Sequence, residues 1–163
     1  MGTRALITLN EKPFIATHWD GYPSALGADL LAAIKPNGSS QPEQIIKAEI
    51  INVAAEHTID FAVPEVQVLC NAKRFQEIAA KTDGKYTADD LAKLHTEGKQ
   101  ITFGVQAAED YPIGNIENYG DWAEFQYDYS EGKWRFRELS GAYPDSLSDA
   151  APLKKLTKKI CAN

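Results

Sequence analysis

Alternating apolar and polar positions open the chain. Residues 3–9 (Thr-Arg-Ala-Leu-Ile-Thr-Leu) and 14–19 (Phe-Ile-Ala-Thr-His-Trp) are β-rich runs flanking Asn10-Glu11-Lys12-Pro13, and the pair predicts a β-hairpin. A symmetric four-residue turn sets Leu9 across from Phe14, Ala5 across from His18 and Arg4 across from Trp19. On that register Ala5, Ile7, Leu9, Phe14, Ala16 and His18 share one face. Arg4, Leu6, Thr8, Ile15, Thr17 and Trp19 share the other.

Asp20-Gly21-Tyr22-Pro23 then breaks the strand. Ser24 reads as the N-cap of a helix over about 25–35, with Leu26, Leu30, Leu31 and Ile34 as its buried stripe and Pro36-Asn37-Gly38 as its end. Pro42 opens a second helix near 43–56, with Ile45, Ile46, Ile50, Val53 and Ala54 at helical spacing. Ile59, Phe61 and Val63 alternate like a strand but meet Pro64, so 59–70 reads as a connection followed by a helix covering at least 70–81. Thr87 and Asp90 form a capping-box pattern before a short helix ending at Gly98. Ile101–Gln106 reads as a strand, and a polar connection runs from Ala107 to about Gly120. Trp122–Tyr129 and Lys133–Leu139 flank Ser130-Glu131-Gly132 as a second hairpin, with Ala123, Phe125, Tyr127 and Tyr129 on one face. A helix over about 150–160 follows.

Strands at both ends and helices between them predict an α+β fold. The expected sheet is antiparallel, with about five strands: the N-terminal hairpin, one middle strand and the C-terminal hairpin. About four to five helices cover one face, and the first hairpin lies beside a C-terminal strand. No repeat or linker divides residues 1–163, which read as a single domain.

Composition narrows the function classes. The net charge of −6 argues against direct nucleic-acid binding, which needs cations on phosphates. Lys154, Lys155, Lys158 and Lys159 read as the solvated face of the last helix. With no apolar run near the roughly 18 residues of a membrane span and no charged-then-apolar leader, the expectation is a cytoplasmic protein that does not engage membranes. Cys70 and Cys161 are isolated thiols without ligand spacing, so no disulfide framework, metal or cofactor is indicated.

Candidate chemistry concentrates in Thr17-His18-Trp19-Asp20-Gly21-Tyr22-Pro23-Ser24. Free N–H groups at the following helix start would bind an anion, and Gly27 in the first turn would let a ligand come close. His18 can donate or accept a hydrogen bond, Asp20 can serve as base or ligand, and Trp19 and Tyr22 offer stacking surfaces. Arg4, opposite Trp19, would stack on the indole or hold an anionic group. The same residues also read as an architectural corner: His18 on an apolar face, Asp20-Gly21 as ordinary turn chemistry, Trp19 and Tyr22 filling a seam. His57 and His95 stand apart in sequence. The aromatic cluster Trp122, Phe125, Tyr127, Tyr129, Trp134 and Phe136 reads as core.

Met1-Gly2-Thr3-Arg4-Ala5, followed by Trp19-Asp20-Gly21-Tyr22-Pro23-Ser24 and Gly27, resembles a family of small proteins from phages, prophages and some prokaryotic genomes. Those proteins start with a Thr-Arg strand and continue into a "WDGYPSGxG"-type corner. Many carry a late acidic-aromatic strand, to which residues 121–129 are similar. Ala25 stands where the family usually has Gly. The family has no established activity, so the resemblance implies that Thr3, Arg4, Trp19, Asp20, Gly21, Tyr22, Pro23, Ser24 and Gly27 act together, in a phage-type accessory context.

Three functions follow as expectations. The leading one is a non-enzymatic binding or accessory protein that engages a host protein or a small anionic ligand through Arg4, His18, Trp19, Asp20, Tyr22, Ser24 and Gly27. The second is a small hydrolase or phosphotransfer-like enzyme with His18 or Asp20 as general base and Arg4 as clamp, against which the opposite-face register of His18 and Arg4 counts. The third is an acidic mimic of nucleic acid.

Overall fold

Asn10 (φ 51°) and Glu11 (φ 65°) both take left-handed backbone, the conformation that closes a hairpin in two residues. The first hairpin of the computed structural model is therefore tighter than its sequence suggests. Here β1 is Ala5–Leu9 and β2 is Lys12–Thr17. The structure describes residues 2–35, 41–99, 112–120, 122–139 and 154–155.

Leu9 pairs with Lys12 and Thr8 with Pro13, then Phe14 bulges out, and Ile7 pairs with Ile15 and Ala5 with Thr17. The expected register is thus displaced by one residue along the outer part of the hairpin. Ile15 joins Ala5 and Ile7 in the main core, while Leu6 and Ala16 turn to the opposite face. The paired register ends at Ala5 and Thr17, so neither Arg4 nor His18 is part of it; beyond it Thr3 meets Gly21.

The stretch after His57 is a strand followed at once by a long helix: β3 is Ile59–Ala62 and α3 is Pro64–Ala80. Pro64 does not merely interrupt the alternation. It is the first helical residue, where its missing N–H costs nothing, and Val63 precedes it in extended backbone. The other helices are α1 (Ala28–Ala33), α2 (Glu43–Glu56) and α4 (Ala88–Thr96). The capping box forms at α4: Thr87 Oγ1 accepts from the Asp90 N–H and Asp90 from the Thr87 N–H, holding the Asp90 carboxyl below its ordinary value.

Among the described residues the sheet has seven strands in the order β4-β3-β2-β1-β5-β6-β7. The added members are β4 (Gly114–Asn115), β5 (Phe125–Ser130), β6 (Lys133–Glu138) and β7 (Lys154–Lys155). It is not purely antiparallel. β1 runs parallel to β5 and β3 parallel to β4, pairings between stretches far apart in the chain that no tight turn can make. Lys154–Lys155 pairs antiparallel with β6 where a helix was expected. The edge of β6 offers those residues backbone partners that an isolated lysine-rich segment lacks. The expected strand at 101–106, the 36–38 helix end and the rest of the 150–160 helix lie outside the described residues.

The main core fills the space between one sheet face and α1, α2 and the start of α3. Leu26, Leu30, Leu31, Ile34, Ile46, Ile50 and Val66 meet Ile7, Ile15, Tyr127, Trp134 and Phe136 there. The Trp134 indole N–H donates to the Ile34 carbonyl at 3.1 Å, tying the end of α1 to β6. Tyr127, Tyr129, Trp134 and Phe136 are buried as expected, whereas Trp122 is exposed. No helix among the described residues is long and apolar enough to cross a membrane.

Candidate functional site

The 17–24 corner is pinned from four directions. The Gly21 N–H donates to the Thr3 carbonyl at 2.9 Å, and the buried Tyr127 hydroxyl donates to the Gly21 carbonyl at 2.6 Å. The His18 N–H donates to the Thr58 carbonyl at 2.9 Å, and the Trp19 N–H to the His57 carbonyl at 3.0 Å. His57 also grips Trp19 with its side chain. Nδ1 lies 3.0 Å from the Trp19 carbonyl and Nε2 lies 2.8 Å from Asp29 Oδ2. A carbonyl only accepts, so Nδ1 carries a hydrogen and donates it to Trp19.

Asp20 makes the bend itself in left-handed backbone (φ 52°), which aspartate tolerates better than most residues. The turn that follows, Pro23–Gly27, is wound as a π-helical turn leading into α1. Ser24 caps nothing: it lies inside this turn with its side chain exposed, and Tyr22 precedes the first turn residue. The N–H groups expected to hold an anion are spent inside the turn. Ala25 and Gly27 donate to the Tyr22 carbonyl and Leu26 donates to the Asp20 carbonyl. Gly27 is buried in ordinary helical backbone, so no ligand approaches it.

What the corner presents is aromatic. Trp19 is 44% exposed and Tyr22 45%, and Trp122, from the segment before β5, is 44% exposed. Trp19 packs against Gly2, where a Cβ would collide with the His18 carbonyl and the indole. Two residues on, the Arg4 guanidinium lies 5.9 Å from the centre of the Trp122 ring, and Trp122 meets Tyr119 edge-on. Arg4 therefore stacks on an indole, as expected of it, but on Trp122 rather than Trp19.

His18 finds a partner that sequence reasoning missed. Its Nδ1 donates to Asp60 Oδ2 at 2.6 Å, with both side chains a fifth to a quarter exposed, and the ring stands edge-on to Trp19. Asp60 sits at the irregular step where Ala16 pairs with Phe61 but Thr17 with Ile59. The one visible signal was a carboxylate inside the apolar run Ile59-Asp60-Phe61. Asp20, the expected partner in chemistry, is a turn residue instead.

Thr58, between His57 and Ile59, is β-branched and left-handed (φ 62°) just after α2. Glycine there removes the steric cost of about 1–2 kcal/mol, less what it loses through its freer unfolded chain. Thr58→Gly is expected to stabilise the protein by about 0.5 kcal/mol, raising the melting temperature by roughly 1–2 °C. A fall in melting temperature would show that the threonine side chain is needed there.

A concavity of about 770 Å³ lies between α3, α4 and residues 114–118 and contains none of the expected site residues. Three of its polar lining residues, Gln67, Asn71 and His95, hold the fold together. Asn71 exchanges two hydrogen bonds with the Ile113 backbone, Gln67 donates to the Ala62 carbonyl, and His95 Nε2 meets Gln67 Oε1 at 3.0 Å. Burial pushes the His95 ring below its ordinary value of 6.5, partly offset by a hydrogen bond to the Ile113 backbone. The unfolded chain protonates this ring more readily than the folded one, so its contribution is whole above pH 6.5 and fades as pH falls below it. Between about pH 7.5 and about pH 5, wild type should lose more melting temperature than His95→Gln; equal losses would contradict this.

The Cys70 thiol is unpaired and half-buried against the main core, with burial raising its pKa; Cys161 lies outside the described residues. No group of three or more histidine, cysteine or acidic side chains comes together among the described residues. Comparison with known proteins finds no matching family model, no matching curated protein and no matching solved structure.

Proposed function

We propose that this chain is a non-enzymatic binding protein of the cytoplasm, an accessory factor of the phage-type class that its opening resembles, and that it engages a protein partner through the 17–24 corner. One observation carries this reading. Three large aromatic side chains stand nearly half exposed around Gly2–Arg4, on a backbone held by buried hydrogen bonds. Rings kept in water by a rigid frame lose little freedom when a partner covers them, which is the character of interface anchors. The exposed aliphatics elsewhere, Ile45 on α2 and the adjacent Val68 and Leu69 on α3, include no aromatic ring. A small anionic ligand is less well served, since Arg4 is the only expected anion-holding group still available at the corner.

The test is affinity capture of partners from the native host. Trp19→Ala should weaken capture by about tenfold or more while the fold persists; unchanged capture would overturn the proposal. The hydrolase reading is favoured by one observation, the 2.6 Å hydrogen bond between His18 Nδ1 and Asp60 Oδ2 that orients the imidazole ring. In that case His18→Gln and Asp60→Asn would abolish a turnover, whereas the binding reading expects capture to survive His18→Gln with at most a modest loss.

A further inference from the structure

We infer that the partner segment received by the corner is cationic, with arginine or lysine side chains laid on the exposed faces of Trp19 and Tyr22 and paired with the Asp20 carboxylate; this rests on the corner being a binding surface. The molecule displays the chemistry itself. Its own Arg4 guanidinium sits over the Trp122 indole at 5.9 Å, within the range where a cation is drawn to the ring quadrupole. Among the described residues no cation lies over Trp19 or Tyr22, whose rings are exposed to a comparable degree.

Charge points the same way. The segments that build the corner, residues 2–4, 17–29, 57–60 and 122–124, carry the carboxylates Asp20, Asp29, Asp60 and Glu124 against the single guanidinium of Arg4. Asp29 and Asp60 are occupied by His57 and His18, which leaves the exposed Asp20 and Glu124, and of these Asp20 lies between Trp19 and Tyr22 in the chain. An anion finds its backbone donors already used within the Pro23–Gly27 turn, while a cation finds ring faces and a carboxylate. In a chain of net charge −6, long-range attraction also favours a basic partner.

The experiment titrates the full-length ¹⁵N-labelled chain with a capped tetraarginine peptide and, separately, a capped tetraglutamate peptide, following the Trp19 indole and the Asp20 and Tyr22 signals. Tetraarginine should shift these signals saturably, with affinity lowered about fivefold or more in Trp19→Ala. Asp20→Asn should have a similar effect, since asparagine keeps the left-handed bend and removes only the charge. Raising salt from about 50 to about 300 mM should weaken the binding as well. Tetraglutamate should leave the corner unmoved. Arginine-induced shifts spread evenly over the acidic surface, or corner shifts with tetraglutamate, would overturn the inference. Partner capture distinguishes the two claims. Capture lost in Trp19→Ala but untouched by Asp20→Asn means an apolar partner and sinks the cation alone, whereas capture indifferent to Trp19→Ala sinks the binding surface itself.

Discussion

Asp128→Ala is expected to cost about 3–4 kcal/mol, the sum of several donors stranded at once. Asp128 is buried on β5 at the seam with β1. One carboxylate oxygen accepts from the Thr8 hydroxyl at 2.5 Å and the Glu11 N–H at 2.8 Å, and the other accepts from the Ser130 hydroxyl at 2.5 Å. Thr8 is buried too, so truncation leaves a hydroxyl with fewer acceptors where water does not reach. The left-handed Asn10-Glu11 turn also loses the bond that fixes it. The melting temperature should fall by roughly 6–16 °C in a chain of this length. Asp128→Asn, of the same shape but with one acceptor oxygen exchanged for a donor, should fall between. If Asp128→Ala melts within about a degree of wild type, the side chain is not the tie that these distances indicate.

The second large effect belongs to Gly21→Ala, with an expected cost of about 2–3 kcal/mol. An added Cβ would lie 2.8 Å from the Thr3 carbonyl oxygen, 2.8 Å from the Ala5 Cβ and 3.2 Å from the Arg4 carbonyl carbon. Two of these are backbone atoms of the segment leading into the central strand, and they have no rotamer to change. The corner must move instead, loosening the Gly21–Thr3 and Tyr127–Gly21 hydrogen bonds. Thermal unfolding reads the cost, and Trp19 fluorescence reads the displacement. Wild-type values of both would mean that the corner yields without loss.

Features fixed by neighbouring residues were readable from sequence. The α4 capping box needs only Thr87 and Asp90, and the stripe Leu26, Leu30, Leu31 and Ile34 needs only helical spacing. Both hairpins were legible as well. The register of the first was not, because it depends on Glu11 adopting backbone unusual for glutamate, while its N–H is taken by Asp128 from far along the chain. Pro64 carries two local meanings, strand breaker and first helical residue, and only the docked helix selects the second. Parallel pairing of β1 with β5 has no local signature at all. At the site, sequence located the corner and its rings, but Asp60 became a partner of His18 only through the irregular pairing of β2 and β3. Trp122 looked like core because its neighbours are, yet it precedes the strand that buries them.

The parallel pairing of Ala5–Leu9 with Phe125–Tyr129 has a consequence for how the chain reaches its folded state. The middle of the sheet joins stretches separated by most of the chain, so a large loop must close before that contact repays its entropy. During synthesis the N-terminal hairpin emerges early and waits, one flank of β1 unpaired, until the ribosome has released the residues that cover it. That open flank is an edge available to other chains. The interval before residue 125 appears is thus the period in which this protein is most exposed to misassembly.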